Sequence, residues 1–365
     1  MKKPVKSPDN MMFLITSLYG GGAEKVCCIL ASKMAEYCNV TLCYMVEDEE
    51  GRRYPIDPRC EVVKLPFKHC TFKRNPLKFF WYKWTLIRFC KKLKKEKKID
   101  VSVSLLIQPN LLNVFSRVGD RVITSERANP KMYMADKFWL TKLAYSKSDH
   151  VVFQSSKVQG FYDEKIREHS SIIMNPVSVS CLADDVRKKR IVSMGRLSEQ
   201  KNHMMLIRSF SAFHKNHPDY TLTIYGEGDL RDALQKLINE LNLQDAVFLP
   251  GNSDNVHEQI RDAEIFVLSS NFEGLSNALL ECMTMGIACI STRCEGSTDV
   301  IHDGENGLLI DIGDEEDLTK CLNRLADDPE YRKQLEKQAM KDSVAFDKDI
   351  VIQKWIEVFS GECAL

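Results

Sequence analysis

At 365 residues, with 51 Lys and Arg balanced by 51 Asp and Glu, the chain has room for two domains, each able to bury its own core. No apolar run approaches the ~20 residues that span a bilayer, and Met11–Thr16 is too short for the core of a secretory signal. Thirteen cysteines, none spaced C-x-x-C and most set in apolar runs (Cys27, Cys28, Cys43, Cys289), read as reduced core residues in a reducing cytoplasm rather than as a disulfide framework.

The charge is unevenly spread. Through Asn175, 31 Lys and Arg stand against 18 Asp and Glu, and the remainder holds 20 against 33. A basic first half points to an anionic partner. The first predicted strand, Met11–Ser17, runs into Gly20, Gly21 and Gly22, then into an amphipathic helix over Val26–Met34 and a strand over Val40–Tyr44. Glycines at such a turn let backbone N–H groups approach a phosphate or sugar closely, although a tight strand-to-helix turn needs no ligand to explain it. The spacing is not G-x-G-x-x-G, so a dinucleotide fingerprint is not supported.

Lys73 to Lys98 reads as a basic amphipathic helix. Leu77, Phe80, Trp81, Trp84 and Ile87 recur at helical spacing, and eleven Lys and Arg against one Glu cover much of the rest. Tryptophans beside cations fit an anionic membrane surface or lipid head group. A core-packed helix with a solvated charged back is the plainer alternative, and no nucleic-acid motif accompanies the patch. Strands over Ile99–Ile107 and Arg121–Ser125 follow, the second ending in Glu126, Arg127 and Asn129. Residues just past a parallel strand face the ligand crevice in open α/β sheets, which makes these three either acceptor-side candidates or plain strand-end residues. Strands over Asp149–Ser155 and Ser170–Asn175 close this half, and Asn175–Pro176 opens a linker running to about Lys189.

The second half repeats strand, glycine turn and helix. Arg190–Met194 leads through Gly195 to Arg196 and Lys201, five apart and able to converge on one anion. A guanidinium plus an ammonium suits a diphosphate and can stabilise it as it leaves; two exposed cations at a helix start need no such partner. Tyr220–Gly228, Val247–Asn252 and Ala288–Arg293 share the strand-and-turn form, Gly304–Gly307 turns into a short strand, and Asp314–Leu325 is helical. The densest stretch is Asn271–Cys282. It follows the strand-like Glu264–Ser270 and opens a helix over Ser276–Met285, whose free N–H groups can hold an anion. Glu273 lies in the turn, with Glu281 about two helical turns on and roughly 80° around the axis. Both carboxylates can reach one crevice, and as acceptor-only groups they suit the hydroxyls of a ribose and a hexose. By spacing alone they are ordinary solvated charges; the pattern around them singles them out. Strands alternating with helices throughout predict an α/β chain with two parallel sheets covered by helices.

Gly195-Arg196 with Lys201, Gly226-Glu227-Gly228, Gly251-Asn252, Glu273-x7-Glu281 and Gly304-x-Asn306-Gly307, in that order, resemble the retaining glycosyltransferase family 4. The Gly20–Gly22 loop and the Asn175–Pro176 linker extend the resemblance over nearly the whole chain. The start SLYGGGAEK and the Ser125-Glu126-Arg127 loop look like a bacterial polysaccharide and lipid-linked-oligosaccharide subgroup. The resemblance implies the glycosyltransferase B fold: α/β, with two Rossmann-like domains whose parallel sheets face each other across a cleft. Residues 1–180 would form the acceptor-side domain, with the C-terminal helix, 350–365, packing back on it; 181–349 would bind the nucleotide sugar.

By position, the resemblance implies catalytic roles for Arg196 and Lys201 on the donor diphosphate and for Glu273 on the transferred sugar. Glu281 would hold the ribose. Gly195 and the backbone of Gly274, Leu275, Ser276 and Asn277 would lie beside the phosphates, with Gly251 and Asn252 near the base. Gly21 and Gly22 would approach the donor from the other domain. One departure stands out: Arg127 occupies the place where many relatives carry a His near the reacting sugar. It stays protonated and cannot act as a base, so either it acts electrostatically or the donor phosphate oxygen activates the acceptor.

The expectation is therefore a retaining transferase using a UDP-sugar, or less readily a GDP-sugar, on a glycan or polyprenyl-diphosphate-linked sugar at the cytoplasmic membrane face. It needs no cofactor and no metal, since the only D-x-D, Asp347-Lys348-Asp349, follows no apolar strand and reads as surface charge. A non-catalytic sugar-nucleotide-binding scaffold and a nucleotide-sugar epimerase of similar fold are the alternatives; the retained Arg196, Lys201, Glu273 and Glu281 disfavour the first, and the Glu273-x7-Glu281 segment disfavours the second.

Overall fold

The computed structural model describes residues 8–19, 21–47, 54–66, 76–128, 130 and 138–361. It divides into two compact units, Met1–Asn175 with Val351–Leu365, and Pro176–Ile350.

In the first unit, β1 (Asn10–Ile15), β2 (Asn39–Tyr44), β3 (Glu61–Lys64), β4 (Val101–Leu105), β5 (Arg121–Glu126), β6 (His150–Phe153) and β7 (Ser170–Ile172) form a sheet in the order β3-β2-β1-β4-β5-β6-β7. Every pairing is parallel; Met11 sits opposite Val40 on one side and Val101 on the other. Helices cover both faces of such a sheet, so its central strands are apolar throughout rather than alternating: Met11 to Ile15 have no exposed surface. α1 (Gly22–Met34), α2 (Pro76–Glu96), α3 (Ile107–Phe115), α4 (Phe138–Ser146), α5 (Ser156–Gln159) and α6 (Glu164–Arg167) supply the cover.

The second unit sets β8 (Lys188–Met194), β9 (Thr221–Tyr225), β10 (Val247–Gly251), β11 (Ala263–Leu268), β12 (Ala288–Thr292) and β13 (Leu308–Ile310) in the order β10-β9-β8-β11-β12-β13, again all parallel. α7 (His203–His214), α8 (Arg231–Glu240), α9 (Val256–Ile260), α10 (Asn277–Met285), α11 (Ser297–Val300), α12 (Glu315–Asp327) and α13 (Pro329–Asp342) pack around it. Its core joins Ile191, Ile224, Ile265 and Ile290 of the strands to Phe210, Leu234 and Leu322 of the helices. Both units thus have the doubly wound Rossmann order, with a switch point at β1/β4 in one and β8/β11 in the other.

α14 (Lys348–Ser360) belongs to the first unit from Val351 onward. Trp355 is fully buried, and Phe359 meets the edge of Phe13 of β1. The division between units falls at Asn175–Pro176, ahead of the expected 180/181, because the following residues are bonded into the second unit. Val177 N–H donates to Phe346 O, Ala183 N–H to Met285 O and Asp184 N–H to Arg261 O.

One local expectation is corrected, and one helix buries a charge that its pattern gave to solvent. The run Ile99–Ile107 is not one strand: β4 ends at Leu105, Leu106 takes φ 74° and α3 begins at Ile107. In α2, Leu77, Phe80, Trp81 and Trp84 lie on the surface, whereas Lys94 inside the basic run is fully buried. Its Nζ is 2.7 Å from Asp120 Oδ2 and also donates to Asn113 Oδ1, Asn113 O and Ser102 Oγ. Lys73 to Asn75 lie outside the described residues. Among the described residues no helix is long and apolar enough to cross a membrane.

Candidate active site

The loops leaving β8 and β11, neighbours at the switch point of the second unit, are laced together. Asn271 N–H donates to Gln200 O, Asn271 Nδ2 to Glu199 O, Asn202 Nδ2 to Asn271 Oδ1, and Ser269 Oγ to Lys201 O. The lacing sets Lys201 against Glu273, with Nζ to Oε1 at 2.6 Å and both side chains largely buried. Ser270 Oγ donates to the same Glu273 oxygen at 3.2 Å. Gly195 makes room for the lysine: a Cβ there would lie 2.7 Å from Lys201 Cε. Arg196, on the same loop, is exposed.

Close approach of backbones recurs around this edge. A Cβ at Gly226 would lie 2.0 Å from Gly195 O, and one at Gly296 would lie 1.8 Å from Gly274 O. The glycines of the sequence motifs therefore serve loop-to-loop packing as well as any ligand. α10 opens beyond Glu273, with Ser276 as its cap: its Oγ accepts from Leu279 N–H. Gly274, Leu275 and Ser276 are buried and Asn277 is partly exposed. Glu281 lies within α10, buried, with His257 Nε2 3.3 Å from its Oε2. Near β9 and β10, Tyr225, Pro250, Asn252, Ser253, Asp254, Asn255 and Gln259 line a pocket of about 360 Å³. Asn252 borders it, and Gly251 ends β10 with φ 90°. His203, at the start of α7, is buried and its pKa is pulled down to about 3 by burial and the nearby Lys201.

The remaining candidates lie in the first unit. Gly21 caps α1 in extended geometry and its carbonyl accepts from Tyr54 OH, while Gly22 begins the helix. Gly20 and Asn129 lie outside the described residues. Glu126 is fully buried and accepts from Tyr145 OH, Tyr162 OH and Ala128 N–H. Arg127 is turned inward: Nε donates to Ser125 Oγ, and Nη1 to Ile173 O and Asn175 Oδ1. Its guanidinium lies over the Trp355 ring at 5.3 Å, and Nη2 is buried without a hydrogen-bond partner among the described residues. Burial pulls the Arg127 pKa down to about 9, against the pull of Glu126, which leaves it charged at neutral pH. Arg127 therefore joins β5 to the last residues of the unit and to α14, a structural tie that its strand-end position did not reveal. Asp347 caps α14 by accepting from Asp349 N–H and Ile350 N–H.

Residues 182–342 match the family model described as glycosyl transferases group 1. A Campylobacter jejuni protein, N-acetylgalactosamine-N,N'-diacetylbacillosaminyl-diphospho-undecaprenol 4-alpha-N-acetylgalactosaminyltransferase, is 32% identical over 357 residues, 92% of this chain and 94% of that one. The chain belongs to the group 1 glycosyl transferases. Another relative, the amylovoran biosynthesis glycosyltransferase AmsD of Erwinia amylovora, is 22% identical across 93% of this chain and 96% of its own. Among solved structures, Anabaena HepE in complex with UDP and glucose superposes with a TM-score of 0.77 at 16% identity, covering 96% of this chain and 99% of that one. The two Rossmann-like units are those of the glycosyltransferase B fold, and the chain is a glycosyltransferase of the bacterial polysaccharide type.

For a group 1 glycosyl transferase, the second unit brings together what sequence spacing could only nominate. Lys201 and Glu273, 72 residues apart, form one ion pair beside the α10 N-terminus. Sequence reasoning missed Ser270 and His257. Ser270 was visible only as the end of an apolar strand, and His257 sits in no recognisable motif.

Proposed function

We propose that this glycosyltransferase moves a sugar from a UDP-sugar to a polyprenyl-diphosphate-linked sugar, with retention at the anomeric carbon and without a metal. The observation that carries the proposal is the Lys201–Glu273 pair set in one laced pair of loops with Arg196 and the start of α10. Lys201 and Arg196 receive the diphosphate, and helix N–H groups add to them. Glu273, released from Lys201 as phosphate takes its place, accepts from the sugar hydroxyls, and Glu281 accepts from the ribose. The acceptor oxygen attacks the anomeric carbon on the face that the diphosphate leaves. The C–O bond to the phosphate breaks as the new glycosidic bond forms, and the acceptor proton passes to the departing phosphate oxygen. Such a step asks the protein for charge stabilisation and positioning rather than a base, in keeping with Arg127 held inside the first unit.

The acceptor class follows the Campylobacter relative, whose name specifies a diphospho-undecaprenol-linked substrate; UDP follows the Anabaena complex. The exposed Leu77, Phe80, Trp81 and Trp84 of α2, with Lys78, Arg88, Lys91 and Lys92 also exposed, give an apolar face beside cations. We assign this face to the anionic inner surface of the cell membrane, where a lipid-linked acceptor is presented.

The test is nucleotide release and donor conversion with a panel of UDP- and GDP-sugars, with and without a polyprenyl-diphosphate-linked disaccharide. Acceptor-dependent release with one UDP-sugar is expected. A GDP-sugar as the active donor would overturn the nucleotide assignment. Donor conversion without acceptor would point to an epimerase, and nucleotide binding without turnover of any kind to a scaffold.

A further inference from the structure

We infer that His257 is a positioning residue for the nucleotide carboxylate Glu281, fixing it for ribose recognition; this rests on the ribose role proposed above for Glu281. The imidazole is bonded at one nitrogen and, at the other, stands close to the Glu281 carboxylate without a bond. Ser180 N–H donates to Nδ1 at 3.3 Å, so Nδ1 accepts and the proton of the neutral ring sits on Nε2. That Nε2 is buried, stands 3.3 Å from Glu281 Oε2, and is off the line of a hydrogen bond to any group described. A buried N–H donor left without a partner is rare and costly. A small rotation of the carboxylate toward it gives the donor a partner and fixes the plane in which the carboxylate presents its acceptor lone pairs to ribose.

The frame around the ring is firm. The chain entering the second unit is strapped over the ends of α9 and α10 by Ala183 N–H to Met285 O and Asp184 N–H to Arg261 O, and Arg261 Nε meets Asp184 Oδ1 at 2.7 Å. Ser180 precedes this strap, so the imidazole is wedged between a fastened segment and the helix that carries Glu281. Orienting a ligand-binding group through a second hydrogen-bonding residue is the arrangement that metal sites use for their histidines, here with the roles of carboxylate and imidazole exchanged.

Two substitutions separate the two nitrogens. His257→Asn places an acceptor near Nδ1 and removes the donor; His257→Gln keeps a donor near Nε2 and removes the acceptor. The full-length protein is titrated with UDP and with 2′-deoxy-UDP, and Glu281→Gln serves as the reference. Wild type should favour UDP by about tenfold or more, the worth of a hydrogen bond to a charged group. His257→Asn should bring that preference close to one while melting as wild type, and His257→Gln should keep most of it. If Glu281→Gln abolishes the preference while His257→Asn retains it, or if the Gln variant loses it as fully as the Asn variant, His257 has no positioning role although the ribose assignment stands. If wild type shows no preference and Glu281→Gln changes nothing, the ribose assignment fails and the inference falls with it.

Discussion

In the first unit the notable cations are carried inward: Lys94 has no exposed surface, and Arg127 is spent on Ser125, Ile173, Asn175 and the Trp355 ring. In the second unit, built on the same strand order, Lys201 keeps 15% of its side chain exposed and has one carboxylate partner among the described residues, and Arg196 lies on the surface. One Rossmann order thus supports two uses of positive charge. A buried lysine with several acceptors holds helices to a sheet and cannot turn to a ligand. A lysine with one partner, at a switch point, can exchange that partner for a phosphate. Burial pulls the Lys94 pKa down despite Asp120. The Asp120 carboxyl, which burial would raise, is held below its ordinary range by Lys94 and hydrogen bonds from Ser102 and Val118.

The largest expected effect tests the structural side of this contrast. Lys94→Ala strands the Asp120 carboxylate in the core and should cost about 3–5 kcal/mol, whereas replacing both partners by apolar residues should cost far less. Urea unfolding followed by fluorescence measures both. Lys201→Ala should weigh the other way, lowering kcat/KM by about 10²–10³ through loss of charge stabilisation while destabilising the protein clearly less than Lys94→Ala, because Glu273 keeps the Ser270 bond and some exposure. The contrast breaks if Lys201→Ala destabilises the protein as much as Lys94→Ala does.

A smaller effect comes from one histidine in each unit. Burial pulls His150 down to about 4 and His203 to about 3, from an ordinary 6.5. Both are neutral when folded and take up a proton on unfolding below pH 6.5, so the stability they carry is complete above that pH and is lost as pH falls toward 4 and 3. At pH 5 each should have lost about 2 kcal/mol. Unfolding curves at pH 7.5 and pH 5 should show the loss, and His203→Gln should remove roughly half of it. An unchanged pH response in that variant would place the acid sensitivity elsewhere.

Legibility in the sequence followed the range over which each feature is decided. Strands such as β1 and β11 are apolar runs closed by polar residues or glycine, which local pattern reveals. β3, four residues at a sheet edge and mostly exposed, has too little apolar surface to stand out. α3 was hidden because β4 and α3 make one apolar stretch; the break is a backbone turn at Leu106, whose N–H bonds to Ser125 O on the neighbouring strand. Lys94 looked like its neighbours in a basic run because its burial depends on Asp120, 26 residues on. Among the candidate site residues, Lys201, Glu273 and Glu281 are legible from motif spacing, but the lacing that pairs Lys201 with Glu273 is not. It is made by backbone and side-chain bonds between loops some 70 residues apart.

The smallest effect separates the surface lysines of α2 from the buried one. Lys91 and Lys92 are exposed on the same helix as Trp81 and Trp84. If α2 lies against anionic lipid, each of these lysines contributes about 1 kcal/mol, or roughly fivefold in affinity. Neutralising both to Gln should then weaken binding to phosphatidylglycerol-containing vesicles by about 25-fold without changing the unfolding midpoint. Added salt should weaken wild-type binding in the same direction. Trp81→Ala with Trp84→Ala should weaken binding even in high salt, because their contribution is apolar burial rather than charge. Lys94 cannot be used in this test, since its removal acts on the core. If the double Gln variant sediments with the vesicles as wild type does, the exposed face of α2 has another use, and its cations differ from Lys94 only in being solvated.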